Sequence, residues 1–243
     1  MTPIKVGNKF IGPSEPCFIA AEIGINHGGD INLAYKMIDA AVKSGADAVK
    51  FQNYITEDFI TDRNSEYSYL LDGKLVSENQ FQMFKKCELK DEDIIRIKEY
   101  CDKSNIIFFS TPTSEKSLNK IIDIGTPILK NGSDFLTNLD LIYKMAQTMI
   151  PTVISTGMSN LEEINDAIVS FNQGGGKELI LLHCTSSYPT DEKEINLNKI
   201  VKMREIFKLP IGFSDHSFGN FAAVSAIALG ACFIEKHFTL DKN

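Results

Sequence analysis

"CFIEKHFTL" (residues 232–240) opens as a buried β-strand, Cys232-Phe233-Ile234, and runs without a turn residue into Glu235, Lys236 and His237. Three ionisable groups at the end of an apolar strand are costly unless something there uses them. The same shape recurs upstream. Short β-rich apolar runs stand at "CFIAAEIGIN" (17–26), "DAVKFQN" (47–53), "IIFFSTP" (106–112), "PILKNGS" (127–133), "PTVISTG" (151–157), "LILLHCTS" (179–186) and "PIGFSDH" (210–216). With residues 232–238 they make eight candidate strands.

Amphipathic segments separate these runs. "DINLAYKMIDAAVKSG" carries Asp30 as an N-cap and places Leu33, Met37, Ile38 and Ala41 on one face. Residues 91–104, 114–125, 196–207 and 220–230 read the same way, and "SNLEEINDAIVSF" has Ser159 and Glu162 at capping-box spacing. Strand and helix alternating to eight strands point to parallel pairing in an α/β fold, a (β/α)8 TIM barrel in one domain over 1–243. The eighth strand lacks its closing helix, which leaves an expected unprotected seam between strand eight and the first helix. A doubly wound sheet is the rival, but "GINHGGD" is no GxGxxG phosphate loop. Residues 54–88 are too long for an ordinary connection and read as an active-site flap. The run "QGGGKE" (173–178) precedes a strand and reads as a turn.

The chain is 43% hydrophobic and 23% charged, with 25 Lys plus Arg against 32 Asp plus Glu, a formal net charge of -7. That balance argues against nucleic acid or an anionic membrane as the partner, not against a small anionic substrate. Five scattered cysteines without a CxxC pair, no signal-peptide core and no membrane-length apolar run point to a reduced, cytoplasmic protein.

In such a barrel the chemistry sits at the C-terminal ends of the strands. Alternation sorts side chains between the interior and the helix layer. It sends Glu22, Lys50, Gln52, Lys130, Ser214, His216, Glu235 and His237 inward, to one end of one cavity. Two inward histidines on neighbouring strands, about 5 Å apart, could reach one metal ion, although a strand-end histidine is commonly structural. Two buried lysines need anions, which suits a bound phosphate or carboxylate. Glu22 either pairs with a lysine or acts on substrate. Glu235 and Lys236 read as ion-pair members, His183 as structural, Cys184 as core, and His27 stays open.

Taken in order, "AEIGINHGGDINLAYKMIDAAVKSGADAVKFQ", "STP", "KNGS", "STGMS", "LLHCTSSYPT", "GFSDHS" and "ALGACFIEKHF" resemble the N-acetylneuraminate (sialic acid) synthase family, which includes legionaminic and pseudaminic acid synthases. The resemblance covers nearly the whole chain. It implies a barrel that condenses phosphoenolpyruvate with N-acetylmannosamine or a related N-acetylated hexose, giving a nine-carbon 2-keto sugar acid and phosphate. It implies a divalent metal, manganese before magnesium or cobalt, on His216 and His237. It assigns phosphoenolpyruvate to Lys50, Lys130, Thr111, Ser133, Ser155 and Ser214, and the sugar side to Glu22, Gln52 and Tyr188. It further implies a homodimer and a small antifreeze-like domain after the barrel, absent from residues 1–243.

Two departures stand out. The sialic branch carries a catalytic acid two residues after the Ser of KxGS; here that place is Phe135, and the acid is Asp134. An Asn of that branch is Ser186 here, as in the pseudaminic branch. The second leaves a deoxy, diacetamido sugar open as substrate. A non-catalytic ligand-binding barrel and a synthase of shorter keto-sugar acids are the alternatives.

Overall fold

The computed structural model describes residues 2–71 and 74–241. The chain opens with a small antiparallel hairpin, β1 (Ile4–Val6) and β2 (Lys9–Ile11). Strand β3 (Phe18–Gly24), helix α1 (Ile31–Lys43) and strand β4 (Ala48–Asn53) follow. An excursion then leaves the barrel: α2 (Thr56–Phe59), the hairpin β5 (Glu66–Leu71) and β6 (Lys74–Asn79), and α3 (Gln80–Cys87). From there helices and strands alternate: α4 (Asp91–Lys103), β7 (Ile107–Pro112), α5 (Glu115–Asp123), β8 (Leu129–Asn131), α6 (Leu139–Gln147), β9 (Thr152–Ser155) and α7 (Leu161–Gln173). The last elements are β10 (Leu179–Cys184), α8 (Asn198–Phe207), β11 (Ile211–Asp215), α9 (Phe221–Ala228) and β12 (Phe233–His237).

Eight parallel strands hydrogen-bond in the order β7-β4-β3-β12-β11-β10-β9-β8. Strand β12 pairs with β3 along its length, Phe233 opposite Phe18 and His237 opposite Glu22. The weak seam expected beside strand eight therefore does not break the backbone ladder there. The break lies between β7 and β8, which run side by side without ladder hydrogen bonds among the described residues. The result is a nearly closed (β/α)8 barrel.

All eight expected strands are present, each trimmed at one or both ends. Asp30 caps α1 by accepting from Asn32 N–H at 2.8 Å. The cap of α7 falls one residue later than its spacing suggested. Asn160 accepts from the Glu163 backbone, and the Glu163 carboxylate accepts from Asn160 N–H at 2.8 Å. Ser159 is diverted, its hydroxyl donating to the Gly157 carbonyl at 3.2 Å. Asn and Ser cap about equally well, so the spacing alone does not decide between them.

Inward side chains stack in layers. The lower layer is apolar: Phe18, Ala48, Phe109, Ile128, Val153, Ile180 and Phe233 meet Ile4, Val6 and Ile11 of the β1–β2 hairpin, which plugs the N-terminal end of the barrel. Phe233 stacks on Phe18 at 5.1 Å between ring centroids and meets Phe109 edge-on at 6.4 Å. Each such fully buried ring contributes about 1.5–3 kcal/mol of hydrophobic stabilisation. Gly212 leaves room for this packing, because a Cβ there would collide with Phe233 and Leu182. Outward positions pack against helices: Val49, Phe51 and Phe108 with Met37 and Ile97, and Ile154, Phe213 and Ile234 with Ile164 and Ala226.

Candidate active site

The second inward layer is ionisable. On β3 the residue after Ala20 with the same parity is Glu22; on β4 Ala48 gives way to Lys50; Ile128, just before β8, gives way to Lys130; on β12 Phe233 gives way to Glu235 and then His237. These groups line a cavity of about 340 Å³ at the C-terminal ends of the strands. Glu22, Lys50, Gln52, Thr111, Lys130, Ser133, Asp134, Ser155, Ser186, Tyr188, Ser214, His216 and His237, the residues singled out from the sequence, all face it.

At the floor Lys50 Nζ lies 2.7 Å from Glu22 Oε2 and 3.9 Å from Glu235 Oε2. It also donates to Thr111 Oγ1 at 3.1 Å. Lys130 Nζ donates to Ser155 Oγ at 2.7 Å and to the Asn131 carbonyl at 2.8 Å, and lies 4.0 Å from Glu235. Both ammonium groups and both carboxylates are buried. Burial opposes the charge of Lys50, but Glu22 and Glu235 overcome it and raise its pKa. Lys130 has the weaker anionic company: burial dominates and lowers its pKa. Burial pushes Glu22 up to about 7 against the pull of Lys50. Burial also opposes ionisation of Glu235, yet Lys130 and Lys50 hold it below the usual carboxylate range. Lys130 is thus the cation on which an added anion would have the greatest effect.

The hydroxyls are positioned by the backbone. Ser133 Oγ accepts from Gly157 N–H at 3.0 Å. Residue 157 must be glycine for this approach, since a Cβ would strike Ser186 Oγ and Ser133 Oγ. Ser214 Oγ donates to Glu235 Oε1 at 3.2 Å. Gln52 Nε2 donates to Glu22 Oε1 at 3.4 Å. Asp134 is exposed at the rim, in the short turn Ser133–Phe135.

His216 and His237 stand at the mouth with ring centroids 5.6 Å apart. His216 Nδ1 donates to the Thr185 carbonyl at 2.8 Å, so Nε2 carries the lone pair and faces Ser214 Oγ at 3.3 Å. Burial holds both imidazoles neutral, at about 4. His237 is the more open to solvent, so water screens part of that effect. Tyr188 stacks on His216 at 4.0 Å and meets His237 edge-on at 5.4 Å. Two neutral imidazoles, one fixed by a carbonyl on its other nitrogen, fit a divalent metal. No cluster of three His, Cys, Asp or Glu surrounds a single point among the described residues.

A family model described as NeuB matches residues 37–243. The chain belongs to the NeuB family. It is 39% identical to the N,N'-diacetyllegionaminic acid synthase of Legionella pneumophila over 98% of its length and 68% of that protein. It is 34% identical to a pseudaminic acid synthase of Campylobacter jejuni over 99% of its length and 69% of that protein. The crystal structure of the N-acetylneuraminic acid synthetase from Leptospira borgpetersenii, in complex with citrate, superposes with a TM-score of 0.88 at 38% identity, covering 99% of this chain and 79% of that one. Such relatives make this NeuB chain an enzyme of the transferase type. No helix among its described residues is long and apolar enough to cross a membrane.

Sequence reasoning missed part of the NeuB cavity. Cys184 is buried but not core filler: its Sγ lines the cavity, 3.9 Å from His216 Nδ1. It shares parity with Ile180 and Leu182, and that signal was readable. Glu235 is an ion-pair member as expected, and its partners are the two cavity lysines. Lys236 pairs with Asp215 at 2.7 Å. His183 is structural, its Nε2 donating to the Ile195 carbonyl at 2.6 Å. His27, left open, is buried on Phe51 outside the cavity. Tyr54 and Phe59 come from the 54–88 stretch and carry no periodic signal.

Proposed function

We propose that this chain condenses phosphoenolpyruvate with an N-acetylated hexose, releasing phosphate and a nine-carbon, sialic-acid-type 2-keto sugar acid. The observation that carries the reading is the pair of buried ammonium groups, Lys50 and Lys130, sharing one cavity with the hydroxyls of Thr111, Ser133 and Ser155. Two cations and a ring of donors offset the charge of an enol phosphate that also bears a carboxylate. The names of the relatives support the same reaction class.

For the sugar we favour a deoxy, diacetamido hexose over N-acetylmannosamine. Phe135 stands where the sialic branch has its acid, and its ring stacks on Phe59 at 6.2 Å. Together they give the cavity an apolar wall suited to methyl groups rather than hydroxyls. In the reaction, carbon 3 of phosphoenolpyruvate attacks the sugar aldehyde. Water adds to the cationic carbon 2, and the tetrahedral adduct loses phosphate by C–O cleavage. Glu22, its pKa raised to about 7, accepts the proton of that water, while the aldehyde oxygen takes up a proton as carbon 3 bonds to its carbon. Lys130 and Ser155 hold the phosphate end as charge shifts onto it. His216 and His237 would hold the metal, manganese by preference, which when bound supplies Lewis acidity toward the aldehyde. We assign Asp134, exposed at the rim, to the sugar side.

The test is phosphate release from phosphoenolpyruvate with manganese and a panel of N-acetylated hexoses. Release with a diacetamido, deoxy hexose supports the reading; no release with any sugar overturns it. His216→Ala and His237→Ala should each lower bound manganese and turnover together, measured by elemental analysis beside the assay. Full metal content in both variants would remove the two histidines from the metal site.

A further inference from the structure

A second cavity, of about 560 Å³, opens on the outer side of the barrel between α7 and α8. One face of α8 lines it: Lys199, Lys202, Met203 and Ile206, spaced i, i+3, i+4, i+7. Leu161 and Ile164 of α7 face them across the cleft. Apolar surface is unusually open here, with Leu161 55%, Ile206 53% and Met158 72% exposed. Neither Lys199 nor Lys202 has an ion-pair partner among the described residues, and no Asp or Glu lines the cleft. At its base sits His183, 1% exposed. Because His183 Nε2 donates to the Ile195 carbonyl, its Nδ1 carries a lone pair, for which the described residues provide no donor.

We propose that this cleft is a second small-molecule site, built for an amphipathic anion: an apolar body between α7 and α8, an acidic group at Lys199 and Lys202, and a hydroxyl or amide N–H donated to His183. Charge complementarity decides the class, since apolar walls alone would take any hydrophobe, whereas two unpaired lysines on the same helix face select an anion. The volume lies in the range of small-ligand pockets. The site is coupled to the catalytic cavity through residues 156–160. Met158 lines both cavities, and Gly157 N–H holds Ser133 Oγ at 3.0 Å. An occupant that presses on Met158 therefore moves the backbone group that orients Ser133.

The test uses the full chain and anilinonaphthalenesulfonate as probe, followed by its fluorescence. Saturable binding is expected, persisting at saturating phosphoenolpyruvate. It should weaken at least about tenfold in Lys199→Glu/Lys202→Glu. Both lysines are exposed, and Lys199→Gln/Lys202→Gln serves as a gentler pair should the reversal disturb folding. The probe should also shift the KM for phosphoenolpyruvate in the wild-type chain and not in the variant. Binding that ignores the lysine changes, or that phosphoenolpyruvate displaces, overturns the site. An unmoved KM with intact binding overturns the coupling. The binding arm needs no turnover, so its outcome is separable from that of the proposed reaction.

Discussion

The lower and upper layers of the barrel are made by the same strands, two residues apart, and they do opposite work. Below, Phe18, Phe109 and Phe233 fill the ring with apolar surface. Above, Glu22, Lys50, Lys130 and Glu235 occupy the same wall with buried charge. The lower layer is where stability is made. The upper layer contributes little to it, because the desolvation of buried ions consumes most of their mutual attraction. A single strand such as β12 thus passes from apolar packing at Phe233 to a buried ion-pair network at Glu235 within one pleat.

The comparison is most directly broken from below. Phe233→Ala should cost about 3–5 kcal/mol in urea unfolding, because it removes the ring shared by Phe18 and Phe109. The surviving folded fraction should keep its turnover. From above, Lys130→Met should lower phosphate release about 100- to 1000-fold while leaving the melting temperature unchanged or raised. A parallel fall in stability would show that the upper layer is scaffold as well.

The pH dependence sharpens the contrast. Glu22 is raised to about 7 in the fold, above the ordinary carboxylate value. Between these values the folded chain binds more protons than the unfolded one, so the stability owed to this group falls as pH rises. Activity should move the other way, dropping about tenfold per pH unit below 7 as the carboxylate is lost. Glu22→Gln should remove that limb of the rate profile and flatten the stability change over the same window. The smallest effect belongs to the plug: Ile11→Val should cost about 0.5–1.5 kcal/mol in unfolding and leave kinetics unmoved.

Much of this was legible in the chain itself, because an alternation of period two sorts residues correctly once a strand is recognised. Lys50 inside "AVKFQ" and Glu235 after "CFI" have no other way to point. What escaped had physical reasons. The β1–β2 hairpin is two strands of three residues, too short for a periodic signal, although the Gly7-Asn8 turn between them was a readable hairpin mark. Helix α6 was passed over although Leu141, Ile142, Met145 and Ala146, at i, i+1, i+4, i+5, make a readable face. The 54–88 stretch declared its length but not that Phe59 would reach across to Phe135, since that contact depends on where the excursion folds back. The α7 cap slipped by one residue because two adjacent side chains are chemically equivalent for the task.

The gap between β7 and β8 gives the site a mechanical character. Thr111 ends one side of that gap and Lys130 the other, and no peptide rung joins them. The wall is therefore least tied by backbone between the two adjacent strands that carry two of the groups proposed to grip one anion. A substrate held by both would act as a clasp, so that filling the pocket and tightening the wall around it become a single event.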